Sequence, residues 1–167
     1  MKSTGIVRKI DELGRIVIPK EIRKSFNIRN GEDVLIYVED NLIILKKYEK
    51  ISSVLDISTK LIKEFSKFTN SNIYLSDKHK IIVSSSNNYI DEKIDNKINS
   101  VMNERKDLLD YGLSFGNNVI EKSFYAVPII IDADAIGCII IVDKIIISEK
   151  DKLIVNLLNS MISLNMY

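Results

Sequence analysis

The sequence predicts a two-domain protein, with a β-rich domain over residues 1–50 and an α+β domain over residues 51–167. Two observations lead to this fold class. In the first fifty residues, short runs of β-branched side chains flank tight turns, which is typical of hairpins. In the remainder, segments with a helical repeat alternate with apolar hairpins. The junction at residues 46–50 lacks Gly, Pro and Ser, which predicts a short, partly ordered linker.

A first hairpin is predicted at the N-terminus. Its strands, residues 6–10 and 15–18, flank the turn Asp11-Glu12-Leu13-Gly14, where Gly14 can adopt a positive φ. Pro19 then ends the second strand. It also suits the first turn of a short helix that reaches Phe26, because an N–H at that position would have no partner inside the helix.

A second hairpin, residues 34–38 and 42–45 around the turn 39–41, completes a β-β-α-β-β order. Some strands are apolar on both faces, as in Ile6 with Val7 and Ile43 with Ile44. A unit of about fifty residues is too small to cover both faces by itself. We therefore expect this segment to form an intimate homodimer.

The charge is distributed unevenly along the chain. The whole sequence has a formal net charge of +1, but residues 1–29 carry +5, residues 30–50 carry −2 and the remainder carries −2. A basic cluster at one end is the electrostatic signature of a nucleic-acid contact. Scattered lysines that only solvate a surface produce a similar pattern, so charge alone leaves both interpretations open.

The stretch from Thr4 to Arg23 closely resembles the AbrB-type transition-state regulators, and the resemblance continues from Ile36 to Tyr48. It implies a swapped-hairpin barrel, dimeric and with one short helix per chain, that binds double-stranded DNA. It also implies the residues that face DNA, which are Arg8, Lys9, Arg15, Arg23 and Lys24. Some relatives have arginine at the last of these positions. Because lysine lacks the arginine fork, Lys24 is expected to contact phosphate and not a base.

The second domain reads as helix, hairpin, helix, hairpin and helix, which predicts an antiparallel sheet with flanking helices. The first helix is expected to begin near Ser52 or Ser53, the second to cover residues 91–105, and the third to cover residues 148–166. The hairpins are expected at 73–83 and 124–142, and residues 107–118 give no clear pattern. This order resembles a GAF-like domain. The resemblance implies assembly of two dimers into a tetramer through helices, and a possible unknown small-molecule ligand.

No catalytic site, no metal site and no cofactor are predicted. One cysteine and one histidine cannot build a zinc cage within a chain. Cys138 is expected in the core, His79 in a solvated turn, and Asp132 with Asp134 in a strand connection. The aromatic residues Tyr74, Phe115 and Tyr125 could line a ligand pocket, but aromatics at such places are more often core, so the cofactor-binding residues stay unknown.

The sequence is thus predicted to belong to a transcription regulator and not to an enzyme. A single cysteine, no secretory leader pattern and no uncharged run of about 20 residues predict a cytoplasmic protein without a membrane partner. The domain order is similar to that of sporulation regulators of endospore-forming bacteria, which implies a forespore location and control of sporulation genes by activation or repression. The alternatives are an AbrB-fold antitoxin, which binds a toxin and autoregulates its operon, and a ligand sensor with an incidental basic patch.

Overall fold

The structure, a computed structural model, describes residues 5–26, 28, 30–48, 50–143 and 145–166. The chain divides into two compact parts: residues 1–48, here called the N-terminal unit, and residues 49–167, the C-terminal unit. Within the described ranges, none of the helices combines the length and the apolar character that crossing a bilayer requires.

The N-terminal unit contains one short helix and one hairpin. Helix α1 covers Lys20–Ser25, and strands β1 and β2 cover Val34–Glu39 and Leu42–Lys47. The two strands are antiparallel, with Val34 opposite Lys47 and Glu39 opposite Leu42. Asp40 has a φ of 48°, which a tight connection between the strands requires. The helix after Pro19 and the second hairpin are therefore as the sequence predicts.

The predicted first hairpin differs. Its turn is present at Asp11–Gly14, but the flanking residues 5–10 and 15–19 belong to no strand in the part of the chain described. Val7, Ile10 and Val17 are exposed there. The physical reason is that a strand needs a neighbour, and the described residues of a single copy supply no neighbouring strand for residues 7–10 and 15–19.

The C-terminal unit is a five-stranded sheet with helices on both faces. Its helices α2, α3 and α4 cover Leu55–Phe65, Asn96–Glu104 and Glu149–Leu164, and short 3₁₀ turns at Lys50–Val54 and Ser66–Phe68 flank α2. Its strands β3 to β7 cover, in order, Asn72–Ser76, Ile81–Ser84, Leu108–Phe115, Asn118–Ile131 and Asp134–Asp143. They lie in the order β4-β3-β7-β6-β5, and every neighbouring pair is antiparallel.

Alternate residues of the central strands point to two separate cores, because side chains along a strand alternate between its faces. On β7, Ile139 and Ile141 pack under α2 and α4, whereas Cys138 and Ile140 pack under α3. The sheet thus has helices packed on both sides, and the predicted α+β architecture with an antiparallel sheet is confirmed. This is also the arrangement expected of a GAF-like domain.

Two elements of the C-terminal unit depart from the expected bounds. Helix α3 starts at Asn96 and not near residue 91. Asp91 has a φ of 68°, and Lys93 forms an isolated antiparallel β-bridge with Lys80, so this part of the chain is not helical. The unassigned stretch 107–118 contains strand β5, in which Gly112 adopts a φ of 73° and interrupts the register. The connection of β6 to β7 is tight, with positive φ at Asp132 and Ala133.

Candidate nucleic-acid interface

Hydrogen bonds shape the turn at residues 11–14, which is part of the predicted DNA-binding surface. The backbone N–H of Gly14 donates to Asp11 O at 2.9 Å, and the N–H of Asp11 donates to Arg15 O at 3.1 Å. Gly14 has a φ of +76°, a conformation that glycine adopts without steric cost. The chain therefore reverses within four residues and places Arg15 directly after the turn.

The Asp11 carboxylate organises this turn. Its Oδ1 accepts from the backbone N–H groups of Leu13 at 3.0 Å and Arg15 at 2.8 Å, and its Oδ2 accepts from Arg15 Nε at 2.7 Å. The Arg15 backbone N–H, and then its guanidinium, hold the pKa of Asp11 below its ordinary 3.8. Asp11 is consequently ionised at neutral pH. The Arg15 side chain is held at its Nε atom by this carboxylate, although 72% of the side chain is exposed.

Arg8 and Lys9 lie in the segment that leads into the turn, and both are exposed. The partner of the Arg8 guanidinium within the described residues is local: Nη1 donates to Val7 O at 3.0 Å. These two side chains are therefore accessible to a polyanion, but the described residues do not fix their direction.

Arg23 and Lys24 lie on helix α1, and the two side chains differ in their environment. Arg23 is half-buried, and its Nη1 donates to Asn30 Oδ1 at 2.7 Å. Its Nε is buried and has no partner within the described residues. Lys24 is exposed. Arg23 thus ties α1 to the loop before β1, whereas Lys24 is open to solvent.

The five sequence-predicted site residues all lie in the described part of the N-terminal unit. Lys2 and Arg29, which contribute to the basic cluster, lie outside the described residues. Sequence reasoning missed Asp11 and Asn30 as the residues that hold Arg15 and Arg23. The signal for Asp11 was available, because aspartate followed by glycine three residues later favours an Asx turn.

The N-terminal unit also exposes an extensive apolar surface. Among its described residues, no hydrophobic side chain is fully buried. Half or more of the surface of each of these side chains is exposed: Val7, Ile10, Leu13, Ile16, Val17, Phe26, Ile36, Val38 and Ile43. Patches of this kind on a small unit mark an interaction surface.

Other predicted residues of the C-terminal unit lie as follows. Cys138 is fully buried, and burial raises the pKa of its thiol, which confirms a core residue. His79 was expected to be solvated, but it is half-buried, with Nε2 enclosed and without a partner in the described ranges. The loop around it folds back, because His79 N donates to Asp77 Oδ1 and His79 O accepts from Ile94 N.

The three aromatic residues considered as pocket lining are core residues and do not meet at one site. Tyr74 and Phe115 pack edge to face under α3, with ring centroids 5.1 Å apart, and Tyr89 covers both rings. Tyr125 belongs to the opposite core, where its hydroxyl donates to Asp107 Oδ2 at 2.8 Å.

A cavity of about 760 Å³ opens beside the start of α4, lined by residues of the 67–70 loop and the 143–151 segment. Its two carboxylates are already engaged. Asp143 accepts from Ser71 Oγ and Ile145 N, and Asp151 accepts from Thr69 Oγ1 and from both polar groups of Ser148. These contacts join the loops, so the arrangement supports structure and indicates no ligand. Within the described residues, no group of three metal-ligating side chains is found.

Stage V sporulation protein T of Bacillus subtilis is 34% identical to this chain over 153 residues, which is 86% of both proteins. The chain belongs to the stage V sporulation protein T family. The family relation thus covers both units, and it confirms the resemblance to sporulation regulators inferred from the order of domains.

Three further comparisons concern the N-terminal part of this family member. Residues 7–53 match the family described as "Antidote-toxin recognition MazE, bacterial antitoxin". The transition state regulatory protein AbrB of B. subtilis is 61% identical over 49 residues, 29% of this chain and 51% of AbrB. The solution structure titled as the N-terminal DNA recognition domain of AbrB is 62% identical, covers 29% of this chain and 91% of that structure, and gives a TM-score of 0.26.

A solved GAF domain is also similar in structure to part of this family member. The GAF domain from Acinetobacter phosphoenolpyruvate-protein phosphotransferase is 16% identical, covers 72% of this chain and 84% of that domain, and gives a TM-score of 0.47.

Proposed function

We propose that this member of the stage V sporulation protein T family is a DNA-binding transcription regulator of sporulation genes. The observation that carries the proposal is the N-terminal unit, whose exposed cations lie in a stretch 61% identical to the regulator AbrB over 49 residues. The B. subtilis AbrB domain of matching sequence is described as a DNA recognition domain. Acting on the chromosome implies a cytoplasmic location, and the sporulation relative supports the forespore.

The proposed DNA contacts are the five basic residues predicted from the sequence: Arg8, Lys9, Arg15, Arg23 and Lys24. An arginine can present two parallel N–H donors to a guanine edge or a phosphate, whereas a lysine acts as a point charge. We therefore assign the arginines to base edges and the two lysines to phosphates. The half-buried Arg23 has less freedom than Arg8 and Arg15, and Asn30 fixes its direction.

The DNA-binding form is proposed to be a dimer of swapped N-terminal hairpins. The support is physical: residues 7–10 and 15–18, on either side of the turn at residues 11–14, belong to no strand in the described part of the chain, and the apolar side chains of Val7, Ile10, Ile16 and Val17 are exposed. A second copy can satisfy both needs, because it supplies backbone partners and covers apolar area together. A dimer also doubles the cationic surface along a duplex.

Assembly of two dimers into a tetramer is proposed through the C-terminal units. Helix α4 exposes an apolar stripe at a spacing of four, four and three residues, formed by Leu153, Leu157, Met161 and Leu164. The adjoining face, with Ile154, Leu158 and Ile162, packs into the core of the unit. A helix whose apolar surface extends beyond the face that its own unit buries favours burial between copies. A small-molecule ligand for the GAF-like unit remains part of the proposal from resemblance.

The antitoxin alternative has one observation in its favour, the match of residues 7–53 to a family described as a bacterial antitoxin. That alternative requires a C-terminal tail that is poor in hydrophobic residues and folds on a toxin. Here the C-terminal unit has two cores of its own on the faces of one sheet. Its packing and the family relation favour the regulator. The relatives that are named as regulators, AbrB and Abh, support a protein that is not an enzyme.

The proposal is tested by titrating the full-length protein against short DNA duplexes while fluorescence anisotropy is followed over about 50 to 300 mM salt. We expect the logarithm of the binding constant to fall linearly with the logarithm of the salt concentration, because each neutralised phosphate releases counterions. A tetramer or dimer that binds no duplex at the lowest salt contradicts the proposal. A toxin-binding protein would also show a protease-sensitive C-terminal half, which limited proteolysis measures.

A further inference from the structure

The Asp11 carboxylate occupies one specific edge of the Arg15 guanidinium. Oδ2 of Asp11 accepts from Nε of Arg15 at 2.7 Å, and no other partner of this guanidinium is found within the described residues. An arginine can bind a planar acceptor through its Nε edge or through its two terminal nitrogens. Because Asp11 takes the Nε edge, only the end formed by Nη1 and Nη2 stays open.

The same carboxylate fixes the backbone from which Arg15 extends. Oδ1 of Asp11 accepts from the N–H groups of Leu13 and Arg15, so the turn and the side chain share one anchor. Of the five candidate cations, Arg15 is the only one with a carboxylate partner in the part of the chain described. Arg8 donates to a carbonyl and Arg23 to a neutral amide.

This pairing has an electrostatic consequence for DNA binding. Arg15 and Asp11 together carry no net charge, so the pair adds little to the counterion release that drives non-specific affinity. The exposed Asp11 carboxylate also repels phosphates. A directed pair of N–H donors, in contrast, is what the O6 and N7 acceptors of guanine select in the major groove.

We propose that Asp11 is a positioning residue that sets the DNA sequence specificity of Arg15. It aims the terminal fork of Arg15 at a base edge, and it lowers affinity for unrelated DNA by offsetting the arginine charge. This inference rests on the proposed DNA-binding function and adds to it a residue that does not itself donate to DNA.

The test compares Asp11→Asn with Glu12→Gln in the full-length protein. Asparagine keeps an oxygen for the two backbone N–H groups and removes the ion pair with Arg15. Glu12 is an exposed acid in the same turn without a contact to Arg15, so its change removes the same charge and serves as the matched control. The probes are a short duplex that the wild-type protein selects from a random pool and the unselected pool itself.

We expect Glu12→Gln to raise the affinity for both probes by the same factor. The specificity ratio, which is the affinity for the selected duplex divided by the affinity for the unselected pool, should then stay unchanged. Asp11→Asn is expected to raise affinity for the unselected pool and to reduce the specificity ratio about fivefold or more, since a well-placed fork provides discrimination of that order. The nuclear magnetic resonance signal of the Arg15 Nε proton should then lose its protection from exchange, while the signals of the C-terminal unit stay unchanged.

A second variant keeps the inference testable if the turn is disturbed. Arg15→Lys preserves the charge and removes the fork, so the ratio should fall as in Asp11→Asn with the affinity for the pool retained. If either Asp11→Asn or Arg15→Lys has the wild-type ratio, the inference is overturned and the proposed function stands. If the wild-type protein binds neither probe, the proposed function fails and the inference fails with it.

Discussion

The Asp95 carboxylate joins the start of helix α3 to strand β5 through Ser114. Oδ1 of Asp95 accepts from Lys97 N at 2.8 Å and caps the helix, while Oδ2 accepts from the backbone N–H of Ser114 at 2.8 Å and from its hydroxyl at 2.7 Å. One side chain therefore satisfies a helix end and ties that helix to an edge strand of the sheet.

Replacing Asp95 by alanine is expected to destabilise the C-terminal unit by about 2 kcal/mol, because the helix loses its cap and the partly buried polar groups of Ser114 lose their acceptor. Urea unfolding followed by circular dichroism measures the change. The control is Glu121→Ala, an exposed acid on strand β6, which should stay within about 0.5 kcal/mol of the wild type. Equal stability of both variants would contradict the role of Asp95.

The pH dependence of stability should follow Asp95 and Asp151. Burial alone would raise the pKa of each carboxyl. Hydrogen bonds from Lys97 and Ser114 to Asp95, and from Ser148 and Thr69 to Asp151, outweigh burial and hold both pKa values below 3.8. A group with a lowered pKa in the folded state stabilises the fold above its unfolded pKa and loses that contribution as pH falls through its folded pKa.

We therefore expect these two groups to add no pH dependence to the free energy of unfolding near neutral pH. Below about pH 4 the free energy of unfolding should fall as they take up protons. Asp95→Asn should flatten that fall, because the variant has no proton to take up at this position. Urea titrations of wild type, Asp95→Asn and the control Glu121→Gln across the acid range measure it. Parallel pH profiles for all three proteins would show that the hydrogen bonds of Asp95 do not set its titration.

The sequence predicted the C-terminal elements wherever one periodicity continued without a break. The run Ile139, Ile140 and Ile141 places apolar side chains on both faces of β7. Such a run indicates a central strand that is covered on each side. Strand β5 was missed because Gly112 interrupts its alternation with a positive φ, and the start of α3 was misplaced because Asp91 looks like a cap whereas Asp95 is the residue that caps.

The candidate site shows a similar limit. The basic residues could be predicted from charge and resemblance, because both are properties of the sequence. The different environments of Arg15 and Arg23 could not, since their partners, Asp11 and Asn30, are fixed by a turn and by a loop contact. The strands around the first turn were predicted from β propensity, but pairing depends on a neighbour that sequence propensity does not supply.

Arg8→Ala and Arg15→Ala are each expected to weaken DNA binding by about 1–3 kcal/mol and to leave the unfolding temperature nearly unchanged. Both side chains are exposed, so their removal opens no cavity. Anisotropy titrations with the selected duplex, together with thermal unfolding, measure the two effects. Wild-type affinity in both variants would exclude these residues from the interface.

Arg23 and Lys24 should respond differently although they are neighbours on α1. Lys24→Ala should weaken binding uniformly across sequences and reduce the salt slope by about one, as expected for a phosphate contact. Arg23→Ala should also lower thermal stability, because Arg23 holds Asn30. The matched variant Asn30→Ala should reproduce the stability loss. An unfolding temperature unchanged by Arg23→Ala would show that its contact with Asn30 is not structural.

If the wild-type protein is the proposed tetramer, Leu157→Glu is expected to convert it to a dimer and so halve the mass measured by light scattering. The reason is that a buried charge opposes helix packing between copies. The control is Leu109→Glu, which places the same charge at an exposed leucine of β5 outside the α4 stripe. Both variants should retain the wild-type circular dichroism spectrum. A tetramer that survives Leu157→Glu would show that the α4 stripe is not the interface.

No hydrophobic side chain is fully buried among the described residues of the N-terminal unit, whereas the C-terminal unit encloses two cores. The C-terminal unit can therefore become compact while the chain is still alone, whereas in the proposed dimer the N-terminal unit gains a core only when it meets another copy. Dilution should loosen one half of the molecule and leave the other intact. The amount of protein present during development would then govern how much of it is competent to act on promoters, before any signal is sensed.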